Sequence, residues 1–267
     1  MKAALLESFL LGQFATFVLV LARVGALMAT APIFGNRSAP MQVRALLAVA
    51  MSLMMTPLYS SQAPADVTNM LAFSKFVLSE ALLGALLGLG VMILVSGVQL
   101  TGHIVSQLGG TALSEGADPV TDENLPVFSQ MFYFLTLAMF VLLDGHRLLT
   151  EALLDTYLWA PPGRGVLGAS YVEALKTLLT QSFLLAIRAA APAMAALLLA
   201  TLVLGLIGRT LPQINILAVG FSVNALLTAG VLVLSIGAIG WAFPQPAVDA
   251  IEMLSEAIRD AVAAVDS

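Results

Sequence analysis

The chain has 267 residues, with two histidines and no cysteine, so side chains able to do chemistry are few. The most suggestive set is Asp144, His146, Arg147 and Glu151. An Asp and a His two residues apart could serve acid–base or proton-relay work. They stand where an apolar run ends, however, with Gly145 between them, and charged residues at a helix end ordinarily meet water. No catalytic residue is assigned there. His103 lies on a different helix with no carboxylate motif around it, so no metal-ligand spacing arises. The sequence has no Walker loop, no GxSxG elbow and no dinucleotide fingerprint, so no cofactor is expected. The lack of cysteine removes disulfides, thiolate metal sites and cysteine nucleophiles.

What remains is a polar stripe. Gln99, His103, Ser106 and Gln107 recur at helical spacing and share one face of a helix's last turns. The helix breaks at Gly109-Gly110 and runs into an acidic loop, residues 114–124, carrying Glu115, Asp118, Asp122 and Glu123. In a chain this apolar, a polar stripe ending in a glycine hinge points to a wall that faces water. A loop hinged beside a pore can act as a gate, while an ordinary solvated loop is the plain alternative.

The elements that must position this stripe follow from composition. Hydrophobic residues make up 60% of the chain and charged residues 10%, with a mean hydropathy of +0.98. Soluble domains carry about 25% charged residues and roughly 45–50% apolar ones. The fold class is therefore an all-α membrane protein with about six apolar helices in hairpins. A net charge of −5 argues against nucleic acid as a partner. Lys2 and the apolar run after it imitate a signal peptide, with Ala29-Thr30-Ala31 as its cleavage site. Pro32 should block that cleavage, so the run reads as a retained helix.

The first apolar segment, residues 9–31, is long enough to span the bilayer and holds Arg23 well inside. A lipid-facing Arg at depth costs about 2.5–3.5 kcal/mol, so Arg23 either faces protein or a water cavity, or snorkels to an interface. Residues 41–57, with Arg44 near their start, are short for a full crossing. Residues 70–97 form a third helix with Lys75 and Glu80 near its start and a small-xxx-small pair, Gly84 and Gly88, for close helix approach. Residues 127–143 make a fourth helix, continued over 148–159 and stopped by Pro161-Pro162-Gly163. A fifth helix, 181–208, is interrupted by Arg188 and Pro192, and a sixth, 216–243, stacks Asn224 and Thr228 at i, i+4. A membrane domain thus covers residues 1–245, and 246–267 form an amphipathic tail. The tail's acidity disfavours an anionic lipid surface, leaving a partner-packing helix or a solvated tail. With a cytoplasmic N-terminus, Lys2, Lys75, Arg147, Arg164, Lys176 and Arg259 fall inside and Arg37, Arg44 and Arg209 outside.

A set of short motifs runs along the chain: Ala31-Pro-Ile-Phe-Gly35, Pro40 with Val43-Arg44, Glu80 with Gly84 and Gly88, Gly109-Gly110 and Asp118-Pro119. Further along come Asn124-Leu125-Pro126, Gly145-His146, Leu153-Leu154, Pro162-Gly163, Ala191-Pro192, the run from Arg209 to Asn215, and Val219-Gly220-Phe221. In their order and spacing the chain resembles the FliR family, the R subunit of the flagellar export gate and its virulence counterparts in type III secretion. The resemblance implies a single-copy, non-enzymatic subunit of a helical hetero-oligomeric gate in the bacterial inner membrane, at the flagellar basal body. Its partners would be FliP, FliQ and FlhB, membrane lipid, and unfolded protein substrates in transit. It implies a P-like N-terminal and a Q-like C-terminal part, with hairpins partly lifted from the bilayer. Residues 109–121 would act as a plug, with Gln99, His103, Ser106, Gln107, Gly109, Gly110, Glu115 and Asp118 as pore and plug residues. Arg23, Arg44, Gly84, Gly88, Arg188, Arg209, Gln213 and Asn215 would serve subunit packing. The acidity of Glu115, Asp118, Asp122 and Glu123 departs from an apolar seal and suggests hydrogen bonds or ion pairs to P subunits. The competing reading from the residues alone is a secondary transporter or channel for a small solute or ion, using Arg23, Glu80 or Arg188 at broken helices.

Overall fold

The computed structural model describes residues 2–35, 40–59, 69–110, 126–165, 168–211, 213 and 216–266. Among them all regular structure is helical. The helices are α1 (Lys2–Thr30), α2 (Pro32–Gly35), α3 (Met41–Tyr59), α4 (Met70–Gly109), α5 (Val127–Leu142), α6 (Gly145–Trp159), α7 (Ala169–Thr210), α8 (Ile216–Ala242) and α9 (Pro244–Asp266). Helix is the necessary answer for such apolar runs, because it satisfies every backbone N–H and C=O inside the segment. Among the described residues five helices are long and apolar enough to cross a membrane, or six spans if α5 and α6, bent by 66°, count as one.

Two boundaries differ from the sequence reading, each for a physical reason, while the end of the third helix at Gly109 agrees with it. The segment expected to be short for a crossing is a 19-residue helix, about 28 Å at 1.5 Å per residue, which is close to a full span. The helix expected over 181–208 begins at Ala169 and passes through Pro192 without interruption, giving 42 residues. Proline is tolerated inside membrane helices because neighbouring groups re-satisfy the freed carbonyl. The α4 helix continues through the polar stripe for 40 residues and stops at Gly109. There Gly110 takes φ 76°, the left-handed conformation that closes helix ends at no Cβ cost.

The chain divides into two units. The first holds Met1–Ile93, Asp144–Leu178 and Ala247–Ser267, and the second Leu94–Leu143 and Leu179–Pro246. In the first unit, α1 and α3 pack as a hairpin joined through α2. There α9 buries Ala250, Ile251, Leu254, Ala257, Ile258 and Ala261. Ser170 at the start of α7 donates to the Ala257 carbonyl at 3.0 Å. The tail's apolar face is thus used within the chain, where the sequence reading kept it for a partner or for solvent. In the second unit α4 is central. Ser129 of α5 donates to the Gln99 carbonyl at 3.2 Å, and Thr101 donates to the Ala186 carbonyl of α7 at 3.2 Å. Val105, Ala193 and Val231 close a small apolar core between α4, α7 and α8.

Candidate functional site

The most heavily built polar feature lies in the first unit, around Arg23 and Glu80. Both side chains are fully buried, Arg23 on α1 and Glu80 on α4. Arg23 Nε donates to Glu80 Oε2 at 2.6 Å, Nη1 to Thr156 Oγ1 at 3.0 Å, and Nη2 to the Ala160 carbonyl at 2.8 Å. The guanidinium lies over the Tyr157 ring, 4.1 Å from its centroid, and Tyr59 of α3 stacks on that ring at 5.3 Å. Tyr157 donates its hydroxyl to the Val20 carbonyl of α1 at 3.3 Å. Glu80 Oε1 accepts the Gly163 backbone N–H at 2.8 Å, and Gly163 holds φ 87°, which favours glycine. One ion pair therefore ties α1, α3, α4, α6 and the Pro161-Pro162-Gly163 turn together.

Such a charge pair is tolerable in a dry interior only when its remaining donors and acceptors are filled. Here a carboxylate, a hydroxyl, a carbonyl and an aromatic face use three sides of the guanidinium and its plane. The backbone lets α1 and α4 come close enough for this. A Cβ on Gly84 would overlap the Arg23 carbonyl oxygen, and one on Gly88 would overlap Thr30 Oγ1. The small-xxx-small pair is thus occupied by the chain's own α1. Arg23, expected to face protein or a water cavity or to snorkel to an interface, and by the resemblance to pack on a neighbouring subunit, is enclosed by protein of its own chain. Nothing in the sequence announced its partner. The available signal was two opposite charges inside apolar helices of a chain with only 10% charged residues.

In the second unit the stripe on α4 is graded, not uniform. Ser106 is fully buried, Gln99 and His103 are half-buried, and Gln107 is exposed. At the helix end a Cβ on Gly109 would meet Thr228 Oγ1 of α8. Asn224 Oδ1, Thr228 Oγ1 and Ser235 Oγ, spaced along one face of α8, are buried without a hydrogen-bond partner among the described residues. The end of α4 therefore sits against a polar seam on α8, a feature only half visible from Asn224 and Thr228 in the sequence. Glu115, Asp118 and Asn215 lie outside the described residues. Arg188, Arg209 and Gln213 are exposed and Arg44 is half-buried.

In the group considered for acid–base work, the pairing seen is between Arg147 and Glu151. Asp144 takes φ 54° at the bend between α5 and α6, a left-handed conformation that Asp tolerates better than most residues. Arg147 Nε donates to Glu151 at 2.8 Å one turn along α6, with both side chains largely solvated. The competing transporter reading needs open intramembrane charges. Arg23 and Glu80 are closed on each other, and Arg188 is exposed on α7.

Residues 14–247 match the profile of the bacterial export proteins, family 1. The chain is 31% identical over 213 residues to the flagellar biosynthetic protein FliR of Escherichia coli K12, covering 79% of each chain. It is 27% identical over 212 residues to that of Bacillus subtilis, covering 78% of this chain and 80% of the relative. It is also 27% identical over 222 residues to that of Caulobacter vibrioides, covering 83% and 88%.

Proposed function

We propose a function from one premise: the chain belongs to the bacterial export proteins, family 1. It is a flagellar biosynthesis protein, a multi-pass inner-membrane subunit of the flagellar type III export gate. The observation that carries this is the span of the match, residues 14–247, which takes in both units.

Within that role we assign the chain a passive part as wall, closing element and assembly scaffold. The second unit supplies the wall, through the stripe Gln99, His103, Ser106 and Gln107 on α4. Residues 109–121 supply the plug, with Gly109 and Gly110 as its hinge and Glu115 and Asp118 as polar contacts. The left-handed Gly110 and the abrupt end of α4 support a hinge at this position. The exposed Arg188, Arg209 and Gln213, together with Asn215, are assigned to subunit packing. Arg23, Gly84 and Gly88 act inside the subunit and give it the rigidity that a scaffold needs. The partners are FliP, FliQ and FlhB, and the subunit enters the gate as one copy, with a P-like N-terminal and a Q-like C-terminal part.

The test is co-expression of a tagged copy with FliP and FliQ from the same genome, followed by native mass spectrometry. A large complex holding one copy of this chain is expected. A monomer or homodimer that ignores both partners would overturn the assembly. Deleting residues 109–121 in that complex is expected to make the membrane leaky to small ions. An unchanged resting conductance would remove the plug from the reading.

A further inference from the structure

Between α1 and α3, on the first unit, runs an apolar cleft of about 400 Å³. Leu21, Gly25 and Met28 form one wall, and Arg44, Ala48 and Val49 form the other. We propose that this cleft binds one anionic phospholipid, with an acyl chain in the trough and its phosphate on Arg44.

Position argues for a lipid. Both walls belong to helices long and apolar enough to span a membrane, so hydrocarbon is the solvent that this face meets. The α1 wall runs from Leu21 to Ala29, which is about 12 Å along a helix. That is close to the depth of a single leaflet, roughly half of the about 30 Å hydrocarbon core. Arg44 lies one turn into α3, at the end of the hairpin where α1 turns towards α3. A cation therefore stands where a headgroup would sit, and the apolar trough runs away from it. A guanidinium carries five donors, so a phosphate is compatible with the other interactions of Arg44. The trough is open at its middle, since a Cβ on Gly25 would find nothing within 4 Å.

The test is native mass spectrometry of the full chain after delipidation and titration with phosphatidylglycerol or phosphatidylcholine. One phosphatidylglycerol should be retained, in preference to phosphatidylcholine. Arg44→Gln should weaken that preference by about tenfold, the loss of one charge-assisted hydrogen-bonded contact. Gly25→Leu should fill the trough and abolish retention of both lipids. If that variant fails to fold, Ala45→Leu on the facing wall makes the same block. Equal lipid retention by wild type and either folded blocking variant would overturn the site. So would indifference to Arg44→Gln, or a cysteine at Ala29 that crosslinks the cleft to a neighbouring subunit in the assembled gate. The chain has no other cysteine, so that crosslink reads one position. None of these readouts depends on export.

Discussion

Glu80→Gln isolates the charge in the Arg23 pair while keeping its shape. The amide still offers Oε1 to the Gly163 N–H, now received at 2.8 Å, and fills the same volume. What it removes is the negative charge 2.6 Å from Arg23 Nε, leaving a fully buried guanidinium with two neutral acceptors. Breaking a buried pair from one side costs about 3–5 kcal/mol, because the surviving charge stays desolvated. Removing both charges with Arg23→Met and Glu80→Gln together should cost less. The main loss then is the donor to the Ala160 carbonyl, about 1–3 kcal/mol for an orphaned buried acceptor. The two sites should couple by about 3 kcal/mol, the upper end for contacting residues. Equilibrium unfolding of the purified chain in mixed micelles, followed by Trp159 fluorescence one residue before Ala160, would measure all four corners. A Glu80→Gln protein within about 0.5 kcal/mol of wild type, with no coupling, would refute the reasoning. It would mean that the guanidinium reaches water or some other anion.

Gly84→Ala should destabilise by about 1–3 kcal/mol, since its Cβ lands on the Arg23 carbonyl and pushes α4 off α1. Gly205→Ala, where nothing lies within 4 Å, is the control and should be neutral or slightly stabilising in the same unfolding assay. Gly163→Ala forces a Cβ into a left-handed turn and should cost about 1–2 kcal/mol, read as a lowered unfolding midpoint. Gly109→Ala should make the resting gate leaky by displacing Thr228, and Thr228→Ala should restore it in the same conductance assay. If the double variant leaks as much as the single one, the contact does not hold the end of α4. Single cysteines along α4 should react with a water-borne thiol reagent at Gln107 and resist it at Ser106.

The helices were legible because membrane segments obey a simple rule: a long apolar run must satisfy its own backbone. The stop at Gly109 and the turn at Pro161-Pro162-Gly163 were legible for a local reason, since glycine and proline write helix ends into sequence. Pro192 misled, because that rule weakens where other groups can take up the freed carbonyl. The Arg23 hub was hidden for the opposite reason. Its partners stand 57, 133 and 137 residues away, and no local pattern reports a contact at that range. Gly84 and Gly88 correctly signalled a close helix approach, but the spacing could not say whose helix would come. The tail's stripe left packing and solvation both open, and the buried face of α9 was seen only in the fold.

The same separations set a timetable for biogenesis. Chains emerge from the ribosome at about 5–20 residues per second, so Glu80 follows Arg23 by roughly 3–11 s. The Ala160 carbonyl follows by roughly 7–27 s at the same rate. Until Glu80 is made, the first span carries an arginine with no counter-charge, which insertion scales put at about 2.5–3.5 kcal/mol. The nascent chain is therefore committed to the membrane before it can be neutralised there. The network around the pair is complete only when the loop after α6 has been made.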